Sequence, residues 1–223
     1  MKKIIEEELE NYKEYLDKYF PYSDLNKKIN TEKFEVSFEK ILSLSKLCHY
    51  LSSDYKIGEY ASLIEYNLNN LLYFLPLNET ISINMSVRNS AEYIIKLMFY
   101  FQNTNKKYHN TGYRELKDTI NTLSVYSTNK SKVDTLFSIY AERSNNIHLK
   151  SISPDDLFSI LEIKMTNSYE DKDLVSIGRD VNNCMLLLLE VICHYNVSLS
   201  TSQKLMIEKV VTRKWKEKIF NIK

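Results

Sequence analysis

Apolar residues recur every three or four positions along most of the chain, which is the period of an amphipathic helix. In the first such run, Ile5, Leu9, Tyr12 and Leu16 lie among glutamates and lysines, and Pro21 ends the run. This pattern predicts a first helix over residues 3–20. The same periodicity predicts further helices over residues 36–52, 58–75, 81–102, 113–123, 131–148 and 173–194.

Two pairs of polar residues indicate where helices begin. Ser200 is followed three positions later by Gln203, the spacing of a capping box in which each side chain bonds the backbone N–H of the other residue. Ser131 and Asp134 form a looser version of the same signal. The sequence therefore predicts a helix that starts at Ser131 and a last helix that runs from Ser200 to the end of the chain.

Glycine and proline are scarce, with three of each in 223 residues, so the chain lacks the tight turns that strand-rich folds need. One proline lies in the segment 153–156 (Ser-Pro-Asp-Asp), which is a strong signal for a further helix start. The predicted fold class is all-α, a bundle of up to nine helices. We expect an N-terminal helical layer over 1–76, a central bundle over 77–197 and a basic amphipathic helix over 198–223.

Charge and cysteine content indicate where in the cell the protein works, but they say little about its activity. The 30 basic and 29 acidic residues give a formal net charge of +1, so any nucleic-acid-binding surface has to be local. The three cysteines are not in a metal-like spacing, and structural disulfides are not expected. The charged N-terminus carries no signal region, and no apolar run is long enough to span a bilayer. These features predict a cytoplasmic protein that uses no membrane.

The segment 141–148 (Ala-Glu-Arg-Ser-Asn-Asn-Ile-His) carries the strongest candidate chemistry. Arg143 supplies a planar cation that binds phosphate, and His148 supplies an imidazole that exchanges a proton near neutral pH. Cleavage of an RNA phosphodiester needs both functions. This spacing also arises by chance, so the alternative is that Arg143 pairs with Glu142 or Asp134 on the surface and His148 only ends a helix.

Helix geometry limits how these two residues act together. Five positions on an ideal helix turn through about 140°, so Arg143 and His148 do not share one face. A distorted last turn or a second subunit is needed to bring the two groups together. The chain has no phosphate-binding glycine loop, HExxH, GxSxG or zinc-like cluster that offers a competing site, and no metal or cofactor is expected.

The order of these features resembles the HEPN superfamily, helical domains found in many prokaryotic ribonucleases of defence and toxin systems. The resemblance covers about residues 81–195. Four segments carry it: 88–96, which opens with Arg-Asn-Ser-Ala-Glu; 108–116; 137–148; and 151–161. The family often has Asn, Asp or His directly after the arginine, where this chain has Ser144, although Asn145 follows and offers a polar group.

The resemblance implies a metal-independent endoribonuclease, a toxin or antiviral effector, in which two subunits bring their motifs into one cleft. Arg143 would hold the scissile phosphate, and His148 would act as acid or base. Arg88 and Glu92 would orient this pair or contact RNA; their alternative role is an ion pair within one helix. Ser144 favours the other interpretation, a catalytically inactive subunit that binds an antitoxin or another protein of a defence complex.

The C-terminal helix offers a second place for RNA. Arg213, Lys214 and four lysines near Trp215 are able to follow an RNA backbone, which would make the protein a nucleic-acid-binding regulator. The alternative is a solvated charged face, the usual state of such a helix.

Overall fold

The computed structural model describes residues 2–104, 108–148 and 170–220. Within these ranges the protein is all-α, with nine α-helices and no strand, as the periodicity predicts. The helix predicted after 153 lies outside the described residues. The helices are α1 (Lys2–Tyr19), α2 (Glu32–Leu51), α3 (Gly58–Phe74), α4 (Thr80–Gln102), α5 (Tyr113–Asp118), α6 (Ser124–His148), α7 (Asp171–His194), α8 (Thr201–Ile207) and α9 (Arg213–Phe220).

Local capping explains several of the helix starts. The hydroxyl of Thr31 accepts a hydrogen bond from the Phe34 backbone N–H at 3.3 Å, so α2 starts earlier than its apolar pattern predicts. The capping box of Ser200 and Gln203 is present at the start of α8, which confirms that prediction. Gln203 Nε2 also donates to the backbone carbonyl of Tyr50, and this bond ties α8 to the end of α2.

Two helical segments that meet at Asn129 make up α6, and the predicted start at Ser131 lies two residues after that junction, although α6 as a whole begins at Ser124. The helix passes through a kink at Asn129, where φ is −130° and ψ is 29°. Ser131 is inside the helix, and its carbonyl accepts a bond from the Thr135 hydroxyl at 2.8 Å. Val125 and Val133 are both completely buried on either side of the kink. Their burial holds the polar stretch between them in place, although its own sequence shows no apolar period.

The predicted single C-terminal helix is divided into α8 and α9. The chain turns after Ile207, and the backbone N–H groups of both Val210 and Val211 bond to the Ile207 carbonyl. Both valines are buried in this turn. The break therefore lets two consecutive β-branched residues enter the core before α9 begins at Arg213.

The helices share one continuous hydrophobic core. Helix α2 packs along α7, α3 packs along α4, and α4 in turn packs along α6. At the N-terminal side, Phe34 and Phe38 stack with their ring centroids 4.1 Å apart, and Tyr12 stacks on Phe38 at 4.9 Å. No helix of the described chain is long and apolar enough to cross a membrane. The division at residues 76 and 198 stays a prediction.

Candidate functional site

Arg143 lies on α6 and is only 7% exposed, because α4 and α7 enclose its guanidinium. Its Nε and Nη2 donate to the same Asp180 oxygen, Oδ2, at 2.9 and 2.5 Å. Nη1 donates to the Asn84 side-chain oxygen at 3.0 Å, and Nη2 also donates to the Ser176 hydroxyl at 3.0 Å. The partner of Arg143 is therefore a buried carboxylate of α7, and not Glu142 or Asp134 at the surface.

Asp180 is shared between two arginines. Its Oδ1 accepts a bond from Arg179 Nε at 3.3 Å, and Arg179 Nη2 donates to Ser176 at the same distance. Ser176, Arg179 and Asp180 occupy positions i, i+3 and i+4 of α7, which places all three on one side of that helix. We call Asn84, Arg143, Ser176, Arg179 and Asp180 the Arg143 cluster. Two guanidinium groups face one carboxylate in it, so the cluster carries an excess positive charge.

Arg88 and Glu92 form a second group on α4, linked to the cluster through α6. Arg88 bonds the Tyr140 hydroxyl, and its guanidinium carbon lies 4.5 Å from the centre of the Tyr140 ring. Glu92 pairs with Arg88 at 3.5 Å and with Lys96 at 2.7 Å, so the ion pair within α4 is present. Lys96 also donates to the backbone carbonyl of His109 at 2.6 Å.

The position of this second group relative to Arg143 is what the predicted roles of Arg88 and Glu92 depend on. Tyr140 precedes Arg143 by three positions on α6, so both side chains approach α4 from the same side of that helix. Arg88 Nε is buried without a hydrogen-bond partner among the described residues. Two cations again face one carboxylate, and neither Arg88 nor Glu92 bonds Arg143 directly in the described contacts.

His148 is the last residue of α6, and its side chain is outside the part of the chain that the structure describes. The only non-helical backbone inside α6 is at Asn129, so the helix continues without distortion from Arg143 to His148. The separation of about 140° around the helix axis therefore holds for the backbone. Ser144 Oγ is buried and has no partner among the described residues, whereas Asn145 is exposed.

The predicted C-terminal RNA surface is separate from this site. Arg213 is exposed and pairs with Glu217 of the same helix at 2.9 Å, and Lys214 is exposed. Trp215, in contrast, is only 8% exposed and cannot serve as an open platform for stacking bases. Its ring lies 5.0 Å from the Lys218 ammonium, and Lys218 is held by the buried Glu190.

The sequence analysis did not identify Asn84, Ser176, Arg179 and Asp180 as site residues. Of these, Asp180 can be recognised as unusual from the sequence. Asp180 interrupts the apolar face that Ile177, Val181 and Cys184 form on α7, and all of these residues are buried. A carboxylate on a buried face needs a cationic partner, because an unpaired buried charge is too costly. The identity of that partner is not visible in the sequence, since Arg143 is 37 positions away.

The Arg143 cluster contains two guanidinium groups and one carboxylate. The guanidinium groups donate to the Asn84 amide oxygen, the Ser176 hydroxyl and the Asp180 carboxylate, so the carboxylate is already engaged. Within the described residues, no group of three or more His, Cys, Asp or Glu side chains is arranged to hold a metal ion. Comparison of the chain with protein-family models, curated proteins and solved structures found no match.

Proposed function

We propose that this protein is a metal-independent endoribonuclease with a HEPN-like arrangement, acting as a toxin or antiviral effector. The observation that carries the proposal is the excess positive charge of the Arg143 cluster, whose central arginine lies on the helix that ends at His148. Arg143 and Asp180 pair in the buried part of the cluster, so the excess positive charge lies on the exposed Arg179, where an anion is able to bind. An RNA phosphate supplies that anion, and His148 supplies the proton transfer.

In this mechanism, the imidazole of His148 takes the proton from the ribose 2′-hydroxyl, whose oxygen attacks the adjacent phosphorus. The bond from phosphorus to the 5′-oxygen breaks, and the His148 imidazolium of a second subunit gives that oxygen a proton. The products are a 2′,3′-cyclic phosphate and a 5′-hydroxyl, and the proton count balances. Positive charge from Arg143 stabilises the extra negative charge of the pentacoordinate phosphorus. Two subunits remove the need for both groups to share one helix face.

The role of Arg143 in this proposal differs from that of an exposed phosphate clamp. Its bonds to Asp180, Asn84 and Ser176 use four of the five N–H donors of a guanidinium. Arg143 therefore acts chiefly through its charge and through the groups that it positions. Asp180 and Asn84 hold the guanidinium in one orientation, so that no reorganisation is needed when negative charge develops on the substrate.

A second function is favoured by the same bonds. Because Arg143 is 7% exposed and paired with Asp180, direct binding of a phosphate would require breaking a buried ion pair. A protein in which Arg143 is purely structural would be a non-catalytic helical subunit of a toxin–antitoxin or defence complex. Its activity would be recognition of a partner protein.

The test is RNA cleavage by the purified protein in EDTA, comparing the wild type with His148→Ala. We expect the substitution to lower the cleavage rate by about 10²- to 10⁴-fold, the usual contribution of a general acid or base. His49→Ala is the matched control, because His49 also lies in a helix. Its own side chain is exposed and paired with Glu65. This control should leave the rate unchanged.

Three results separate the two functions. Cleavage that requires an added metal ion, or that survives His148→Ala, contradicts the proposed mechanism. A 2′,3′-cyclic phosphate at the product end supports it, because only attack by the 2′-hydroxyl leaves that group. Absence of cleavage in every condition, together with a stoichiometric complex with a co-expressed protein partner, supports the non-catalytic function.

A further inference from the structure

Arg179 is the accessible member of the Arg143 cluster. Its side chain is 61% exposed, whereas the side chains of Arg143 and Asp180 are 8% and 3% exposed. Its bonds to Asp180 and Ser176 are both 3.3 Å long, beyond the usual range for N–H···O bonds. Arg143 makes shorter bonds to the same two residues. Among the described residues Arg179 is therefore held loosely, and more than half of its side chain is exposed.

The Ser176 hydroxyl lies between the two guanidinium groups. Its oxygen accepts a bond from Arg143 at 3.0 Å and from Arg179 at 3.3 Å. A serine oxygen that accepts two hydrogen bonds still has its own O–H to donate. Ser176 is half-buried, so this donor lies at the boundary between the cluster and solvent.

The charges of the cluster indicate which kind of ligand suits its solvent-facing edge at Arg179 and Ser176. Both guanidinium groups bond one hydroxyl oxygen, and Asp180 is the single carboxylate that they share. Two like charges at such short range repel one another, and an anion next to the exposed one lowers that energy. Arginine presents a planar fork of N–H donors that matches the oxygens of a phosphate.

We propose that Arg179 and the Ser176 hydroxyl form a subsite for a non-scissile phosphate of the RNA strand, next to the phosphate that is cleaved. This inference rests on the proposed function, since it takes RNA as the ligand. Arg179 contacts the strand directly, and Asp180 links that contact to Arg143. The subsite acts on binding of the strand and not on proton transfer.

The test measures binding of a single-stranded 2′-O-methyl RNA oligonucleotide, which has no free 2′-hydroxyl and cannot be cleaved by this mechanism. Fluorescence anisotropy at several salt concentrations gives both the affinity and its salt dependence. We expect Arg179→Ala to weaken binding about tenfold, the cost of one charge-assisted bond. The slope of log K against log salt should fall by about 0.7, the value for one phosphate contact on a single strand.

Lys172→Ala is the matched control, because Lys172 is an exposed cation on the same helix, 75% exposed and paired with Glu170. It should change neither affinity nor slope, and Arg179→Lys should keep part of the affinity. Thermal unfolding of each variant confirms that the fold is intact. Unchanged binding in Arg179→Ala overturns the subsite, as does equal weakening in Lys172→Ala or no binding by the wild type.

Cleavage of unmodified RNA by the wild type and His148→Ala separates this inference from the proposed function. If the wild type cleaves RNA and Arg179→Ala binds the oligonucleotide normally, the subsite is wrong and the nuclease stands. If Arg179→Ala loses affinity while the wild type never cleaves, the phosphate subsite stands and the nuclease mechanism is wrong.

Discussion

Arg143 and Arg179 show how differently two arginines behave when they share one carboxylate. Both bond Asp180, but Arg143 is enclosed by α4 and α7, whereas Arg179 faces solvent. Water screens the attraction between exposed charges, so the ion pair between Arg179 and Asp180 adds little stability. A buried pair behaves otherwise, because removing one partner leaves the other charge without water.

Arg143→Ala should therefore lower the free energy of unfolding by about 3–5 kcal/mol, the range for breaking a buried ion pair. Arg179→Ala should lower it by less than about 1 kcal/mol. Urea unfolding followed by circular dichroism measures both values. Equal effects of the two substitutions would contradict the enclosure of Arg143. If Arg143→Ala does not fold, Arg143→Lys, which keeps the charge and loses the fork, provides an intermediate case.

Glu190 predicts a dependence of stability on pH. Burial raises the pKa of this carboxyl, but hydrogen bonds and charge from Lys132 and Lys218 outweigh it, and the pKa lies below its ordinary value. A carboxylate with a lowered pKa stabilises the fold above its unfolded pKa of about 4.3, and this stabilisation is lost as pH falls through the folded pKa. Glu190→Gln should therefore be less stable than the wild type near neutral pH.

The same substitution should make the urea midpoint fall less steeply when the pH is lowered below about 4.3. Glu142→Gln, at an exposed position of α6, is the control and should keep the wild-type pH dependence. A Glu190→Gln profile parallel to that of the wild type over this range would show that the contact with the two lysines does not couple folding to protonation.

At the scale of elements, the crossing of α2 and α7 depends on one glycine. A Cβ atom built at Gly178 would lie 2.9 Å from both Cα and Cβ of Ser37, closer than ordinary packing allows. The absence of a side chain at Gly178 therefore sets how near the two helices approach. Because Asp180 and Arg179 follow on α7, this approach also determines where the Arg143 cluster forms.

Gly178→Ala should push the two helices apart and destabilise the protein. Overpacking costs about 1–3 kcal/mol, and the better helix propensity of alanine offsets about 1 kcal/mol of that. Gly112→Ala is the matched control, because nothing lies within 4 Å of a Cβ there and φ is −71°. It should change the free energy of unfolding by less than about 1 kcal/mol. A larger loss at Gly112 than at Gly178 would contradict this account of the crossing.

At the scale of the whole molecule, the shared core argues for one cooperative unit. Helices α2 and α3 belong to the N-terminal layer predicted over residues 1–76, yet they pack along α7 and α4. Removing that layer would expose the buried faces of two long helices. Cooperative unfolding follows when no part can open without losing contacts that stabilise the rest.

Urea unfolding should therefore give the same midpoint by far-UV circular dichroism and by Trp215 fluorescence. Circular dichroism reports all the helices, whereas Trp215 is the single tryptophan and reports α9 and the residues around it. Two separate midpoints would instead support independent units, including a boundary near residue 76. The comparison needs no substitution, so it tests the wild-type core directly.

What the sequence determined by itself is the set of helices. The signals for these helices are local: the apolar period, Pro21 after α1 and the capping box at Ser200. Each acts through contacts within four or five residues, so it can be recognised from the sequence alone. The start predicted at Ser131 lies close to the kink at Asn129, but the same kind of reasoning missed the helical segment that precedes the kink, where Val125 is buried. That burial comes from other helices.

The tertiary structure alone decided the surroundings of Arg143. The motif with His148 is visible in the sequence, and so is the unusual place of Asp180 on an apolar face. That these two side chains meet, with Asn84 on a third helix and Arg179 sharing the carboxylate, depends on how α4, α6 and α7 pack. The charge of a cluster is a sum over residues that only packing brings together, whereas a helix is specified by neighbours along the chain.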